Sequence, residues 1–441
     1  MVYLARTLGA DLYGIIAFSA AVLIYLSRIA DGGIDLGLGV REMAADSQAT
    51  IALAPAILTA RLVISVVLAL ALGAIALVTL PHPDGAVLAT FGLTLIPVAA
   101  STRWIHLGLE RTRAVAAARA IGEALMVVLV FALVRGRNDL LAAPIAQFAG
   151  DSLAAALLLC WIAKRGVHLR VTFDWNDLRP LAARSWPLVG SALLGLLIYN
   201  SDFLFLRVFR DRAAVGLYAA AYTLVSFLLN MGAAYNMSLL PRLTKTSAVR
   251  ADHHGLYHMA TAHVFAVSLP IAVGGSLLAA RIITLVFGGG YGPSAIALSI
   301  LMWTIPVCLL RDVPVMTLLA WGREDRVLHL TAWAAAVGLA LNLILIPSYG
   351  LIGAAIASVA TESIRMVLAL AAVRRFGFAL TEVKRFLKPV VAGFVMAAVL
   401  VVASPPTIWM ALALGTFAYV VCLSLLGGIT FARGAIPSLN V

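Results

Sequence analysis

Charge is scarce in this chain. Asp, Glu, Lys and Arg make up 12% of its 441 residues, about half their share in a soluble domain. Cysteine is scarcer still. Cys160, Cys308 and Cys422 lie far apart in apolar runs, so no disulfide or metal framework follows from them. No HExxH, P-loop, GxSxG or cysteine–histidine cluster is present, which leaves hydrolase and nucleotide chemistry without a motif. Basic residues never cluster with aromatics as they do in a nucleic-acid binder, so no nucleic-acid partner and no cofactor is expected. Met1 to Leu8 is too short for a cleavable signal peptide and lacks a basic leader.

Apolar residues fill the chain instead, at 63%, in runs such as Leu62 to Leu80, Ala213 to Leu240 and Val327 to Ile346. At about 1.5 Å per residue each run can cross a hydrocarbon core of about 30 Å. The expected fold is therefore an all-α polytopic membrane protein. Thirteen full spans are read at about 12–40, 53–80, 85–107, 113–134, 140–163, 185–208, 213–240, 257–287, 293–319, 327–346, 350–373, 386–404 and 407–429. Met1 to Leu8 reads as the last two turns of a further, truncated helix, which either has lost its start or sits shallowly in the membrane.

Loop charge sets the expected orientation. One alternating series carries Arg41; Arg111 and Arg113; Lys164, Arg165, Arg170 and Arg179; Arg242, Lys245 and Arg250; Arg323 and Arg326; and Arg374, Arg375, Lys384, Arg385 and Lys388. The other carries only Arg135 and Arg137, then Arg210 and Arg212. The first series is expected in the cytoplasm, and the net charge of +12 reflects this bias.

The spans group as six, six and two. The expected divisions are an N-terminal lobe over 1–184, a C-terminal lobe over 185–375 and an accessory two-helix hairpin with tail over 376–441. A duplication supports the two lobes. Leu4-Ala5-Arg6-Thr7-Leu8-Gly9-Ala10-Asp11-Leu12-Tyr13-Gly14 returns as Leu206-Arg207-Val208-Phe209-Arg210-Asp211-Arg212-Ala213-Ala214-Val215-Gly216. In each copy an apolar helix ends in a charged turn and another begins. Six spans per lobe give both lobes the same topology, as in parallel-repeat transporters.

Several stretches carry a resemblance. Leu341 to Ala355, with Pro347-Ser348-Tyr349-Gly350 at its centre, resembles the signature hairpin of the polysaccharide-transport family, a branch of the multidrug/oligosaccharidyl-lipid/polysaccharide flippase superfamily. Leu4 to Gly14 resembles its first extracellular turn. Trp104 to Arg111 and Ala320 to Glu324 resemble its paired cytoplasmic turns, and Phe287-Gly288 with Tyr291 resembles its turn between the ninth and tenth helices. The resemblance runs over nearly the whole chain. It implies a flippase of polyprenyl-pyrophosphate-linked oligosaccharide in the bacterial cytoplasmic membrane. The implied partners are that lipid-linked glycan, membrane lipids and the polysaccharide assembly machinery.

Charges within the spans are the candidate site residues, because a charge at a helix centre costs roughly 2.5–3.5 kcal/mol and must face protein or water. Arg28, near the middle of its expected span, Arg281 and Arg311 are candidate substrate contacts, since guanidinium binds phosphate oxygens in a bidentate fork. Asp202, Asp31 and Glu362 are candidate coupling or gating residues. Arg119 with Glu123, and Glu362 with Arg365, have same-face spacing for salt bridges. Asp202 has no cation three or four residues away, so it needs a partner on another helix or must titrate. The Gly-rich Gly288 to Gly292 reads as a flexible turn, and His263 and His329 as packed or interfacial.

Two other readings remain open. One is a related transporter of lipid II or of a small cationic drug, although a drug exporter would favour acidic over arginine linings. The other is a membrane polymerase or glycosyltransferase, against which the lack of a large polar outer loop counts.

Overall fold

The computed structural model describes residues 1–35, 39–164, 175–246, 250–375, 383–430 and 438–439. These divide into two compact units, one mainly Tyr3–Leu196 with Asp211–Gly216, the other Leu197–Arg210 with Leu217–Val441. The chain opens with α1 (Val2–Asp31), α2 (Gly39–Ala45), α3 (Ser47–Thr79), α4 (Asp84–Gly92), α5 (Leu95–Ala100), α6 (Arg103–Gly108), α7 (Thr112–Leu133) and α8 (Ala142–Ala163). Next comes α9 (Trp175–Phe209), which passes from the first unit to the second. There follow α10 (Arg212–Thr246), α11 (Arg250–Leu277), α12 (Ala279–Phe287), α13 (Ser294–Leu301), α14 (Thr304–Ala320), α15 (Glu324–Arg375), α16 (Val383–Ala403) and α17 (Ile408–Leu425). The one departure from helix among the described residues, apart from turns, is a short antiparallel pairing in the tail. There β1 (Ile429–Thr430) meets β2 (Ser438–Leu439), with Ile429 opposite Leu439.

Eleven helical segments among the described residues are long and apolar enough to cross a membrane, or twelve if the bent pair Ser185–Ile198 and Asn200–Phe209 is one span. Thirteen were expected, and part of the difference lies in α15. Its 52 residues are broken at Gly350, where φ is 57° and ψ is −130°. A Cβ built on Gly338 would lie 3.0 Å from Cγ2 of Thr361. On a straight helix these residues would be about 34 Å apart, so α15 is two antiparallel halves. Arg210 secures the reversal by donating to the carbonyls of Pro347 at 2.6 Å and Ile346 at 3.4 Å. A side chain at Gly350 would force a Cβ onto left-handed backbone, 3.4 Å from Arg210 Nε. Gly350→Ala is therefore expected to cost about 1–2 kcal/mol, read as a lower unfolding temperature of the purified protein in detergent. An unchanged transition would show that the reversal does not require glycine.

Other expected spans are interrupted for local reasons. The segment read as 85–107 is α4, α5 and α6 in series, and the one read as 293–319 is α13 and α14. Pro97 and Pro306 stand four residues after the breaks at Leu93 and Met302, where a proline ring crowds the i−4 carbonyl and offers no N–H. The segment read as 257–287 ends as α11 at Leu277, so Arg281 belongs to the short α12. The first span does not run to residue 40. Gly32 adopts φ 60° and returns its N–H to Ile29 O, closing α1 at Asp31. Arg28 is consequently in the last turn of α1, not mid-span. Gly9, with φ 80° and ψ 168°, breaks the same helix near its start. The linker read as Lys164 to Arg184 is helical from Trp175, while 165–174 and 376–382 lie outside the described residues.

Leu70, Leu77 and Val78 on α3, Val402 on α16 and Leu425 on α17 are exposed. Apolar side chains displayed around such helices suit lipid rather than water. The protein is a multi-pass membrane protein. Within the first unit, Trp104, Ile105, Met43, Ile57 and Ile162 form a buried core. In the second, Leu278, Met396, Leu400 and Tyr419 join α16 and α17 to α11 and α12, and Tyr419 Oη donates to Ala266 O at 2.7 Å.

The duplicated segments meet each other. A Cβ on Gly14 would lie 1.9 Å from Arg212 O, and one on Gly216 would lie 1.8 Å from Ala10 O. Gly14 and Gly216 are equivalent in the repeat, as are Ala10 and Arg212. The contact is reciprocal, backbone against backbone, as small residues permit between membrane helices. Beside it Arg212 pairs with the buried Asp84 at 3.2 Å.

Candidate functional site

Three groups of charged or polar side chains lie inside the helices. The first is in the N-terminal unit. Arg61, on α3, is 3% exposed and reaches Asp31 Oδ1 at 3.2 Å and Asp35 Oδ2 at 3.4 Å. It also donates to the carbonyls of Val98 and Ser101 at 3.4 Å, beside the α5–α6 break, where Val98 O also accepts the N–H of Ser101 at 3.3 Å. Asp31 Oδ1 further accepts the N–H of Asp35 at 3.0 Å. Two carboxylates thus share one guanidinium, and Asp31 Oδ2 and Asp35 Oδ1 accept no hydrogen bond among the described residues.

Arg28 lies one turn before Asp31 on α1 and is half-buried. It forms no ion pair or hydrogen bond among the described residues. The expected neighbours Arg28 and Asp31 are therefore brought near each other, but Asp31 is taken by Arg61.

The second group surrounds Asp202, which is fully buried on α9. Tyr218 on α10 and Ser358 on the second half of α15 each donate to Oδ2 at 2.5 Å. Asn342 Nδ2 on the first half donates to Oδ1 at 2.7 Å and to Ser201 Oγ at 3.0 Å. Asp202 does find its partners on other helices, as its isolation in the sequence required. All of them are neutral donors, which is the arrangement that supports a buried carboxylate without a cation.

The third group joins α14 to α15. Arg311 Nη1 bonds Glu362 Oε2 of α15, its Nε bonds Asp312 Oδ1 at 3.0 Å, and Arg365 Nη1 lies 3.7 Å from Glu362 Oε1. The second guanidinium nitrogen of Arg365 donates to Thr331 Oγ1 at 3.3 Å across the hairpin. Ser358 and Glu362, one turn apart on α15, share a cavity of about 20 Å³ with Thr304 and Cys308, room for one water. Through it the second and third groups adjoin.

The remaining candidate, Arg281, is exposed on α12 and donates to Pro405 O. Arg119 and Glu123 pair at 3.4 Å with both side chains exposed. Among the described residues no His, Cys, Asp and Glu group could hold a metal ion.

Helices of crossing length enclosing fixed charge clusters define a polytopic membrane protein with polar sites inside its spans. Residues 1–247 match the model of the polysaccharide biosynthesis protein family, more than half of the chain, and the protein belongs to that family. Its fold is that of a lipid II flippase, MurJ, in an inward closed conformation. The two share a TM-score of 0.82 at 14% identity over 96% of this chain and 95% of that one. An inward-facing multidrug resistance MATE family transporter of the MOP superfamily gives 0.69 at 15% identity, over 85% and 92%. A MOP superfamily transporter from Pyrococcus furiosus gives 0.52 at 15% identity, over 82% and 85%. No curated protein matches the sequence significantly.

Proposed function

We propose that this protein flips a polyprenyl-pyrophosphate-linked oligosaccharide across the bacterial cytoplasmic membrane by alternating access, for polysaccharide biosynthesis. The family and the fold support this reading, and the state of Arg28 carries it. Arg28 is a half-buried guanidinium whose nearest acid is already committed to Arg61. Among the described residues its five donors have no hydrogen-bond partner, and a pyrophosphate offers the matching oxygens.

Arg281 and Arg311 are the further cationic contacts. Arg281 has donors beyond its one carbonyl bond. Arg311 joins the cargo only if Glu362 or Asp312 releases it. Asp202, Asp31 and Glu362 serve coupling or gating: each is a buried acid held by partners on a different helix. A change of protonation or of partner there alters how helices are tied.

Arg28→Ala is expected to lower surface glycan about 10- to 100-fold at unchanged membrane abundance, the worth of one hydrogen-bonded charge. Arg28→Lys restores part of it, because the ammonium keeps the charge without the fork. Asp202→Asn is expected to slow export more than it weakens cargo binding. Normal export by Arg28→Ala, or a loss that tracks protein level, refutes the site. The MurJ-like fold favours one second reading, lipid II as cargo. Rescue of lipid II transport but not of glycan export in depleted cells would select it.

A further inference from the structure

A cavity of about 720 Å³ opens at the end of α15 where its two halves begin and finish. Arg326, His329 and Arg375 line its outer part, and Leu330, Trp333 and Leu368 continue inward. Arg326 to Trp333 and Arg375 to Leu368 each span seven residues, about 10 Å of helix. Charge and apolar surface are thus stacked along the helix axis, with the charge at the helix ends. Trp333 is 68% exposed, unusual in a folded core and usual for tryptophan at a membrane–water boundary. The acid in the lining, Asp325, makes a loose pair with Arg326 at 3.8 Å. Arg375 forms no ion pair among the described residues.

We propose that this cavity binds the headgroup of an anionic phospholipid from the adjoining leaflet. The phosphate lies between Arg326 and Arg375, and an acyl chain runs along Trp333 and Leu368. Guanidinium supplies the fork for phosphate oxygens, and basic pockets between membrane helices suit acidic lipid. The site is separate from the cargo reading, because it uses none of Arg28, Arg281, Arg311, Asp202, Asp31 or Glu362.

The test needs no glycan. The full chain is placed in phosphatidylcholine nanodiscs holding a minor share of lipid brominated on its acyl chains, either phosphatidylglycerol or phosphatidylcholine. Quenching of Trp333 is the difference between the wild type and Trp333→Phe. Brominated phosphatidylglycerol is expected to quench Trp333 preferentially, with a selectivity of about fivefold per arginine at low salt. The preference should vanish in Arg326→Gln/Arg375→Gln. Arg375→Gln alone, as a milder variant, should lose about half of it on a logarithmic scale. Equal quenching by the two lipids overturns the proposal, as does a preference that survives the arginine changes. Loss of the preference on adding millimolar inorganic phosphate also overturns it, since the site would then take free phosphate.

Discussion

Arg61→Ala is expected to destabilise the N-terminal unit by about 3–5 kcal/mol, the cost of removing one member of a buried ion pair. The reason lies in what remains. Arg61 is 3% exposed, and Asp31 and Asp35, at 5% and 15%, face it. Without the guanidinium two carboxylates stand together away from water, and the Val98 and Ser101 carbonyls lose the bonds Arg61 makes to them, Val98 O keeping the N–H of Ser101. Arg61→Lys should recover little, because one ammonium cannot reach four acceptors spread around a planar fork. Asp31→Asn added to Arg61→Ala should recover part of the loss, since it removes one of the stranded charges. Thermal unfolding of the purified variants, with membrane abundance in cells, reads these effects. An Arg61→Ala protein that melts with the wild type would show that water reaches the cluster and that the carboxylates are not stranded. Export measured on the double variant separates stability from function. If abundance returns and export does not, Arg61 also helps set the charge presented beside Arg28.

Arg61 is also where the sequence was hardest to interpret. It lies within the expected span 53–80, directly before the run Leu62 to Leu80, and its acid partners are 30 and 26 residues earlier, at the end of α1 and in the turn that follows it. Same-face spacing finds only partners on the same helix. An arginine within an expected span was itself the available signal, since such a charge must be matched somewhere. Asp202 shows the opposite case. Its lack of a local cation did point to partners elsewhere, but Tyr218, Asn342 and Ser358 are neutral and leave no trace in a search for charges. For Glu362 the spacing suggested Arg365, which does lie 3.7 Å away, while the closer contact comes from Arg311 on α14. The hairpin at Pro347 to Gly350 was legible because proline and glycine act locally. The breaks at Leu93 and Met302 follow from the same rule applied to Pro97 and Pro306. What sequence periodicity could not supply was where an apolar run stops being helix, because lipid-facing and break residues are equally apolar.

The reciprocal glycine contact gives the second large effect. Gly14→Ala or Gly216→Ala would each place a Cβ within 2 Å of a backbone carbonyl oxygen, 1.9 Å from Arg212 O or 1.8 Å from Ala10 O. A rotamer change cannot relieve this, since the obstacle is backbone and alanine has no rotamers. The two helices must part by an ångström or more. Overpacking of this kind costs about 1–3 kcal/mol, occasionally more, and the upper end is expected because the Arg212–Asp84 pair sits on the same contact. The two substitutions should not add. Once the first Cβ has separated the helices, the second meets a gap already opened, so the double variant should lose less than the sum of the singles by about 0.5 kcal/mol or more. Substituting Gly190, beside which a Cβ would meet nothing within 4 Å, controls for the helix propensity gained with alanine. Unfolding temperatures of the four proteins in one detergent make the cycle. Additive losses would mean that the two glycines act at independent places, and the reciprocal contact between the duplicated turns would have to be abandoned.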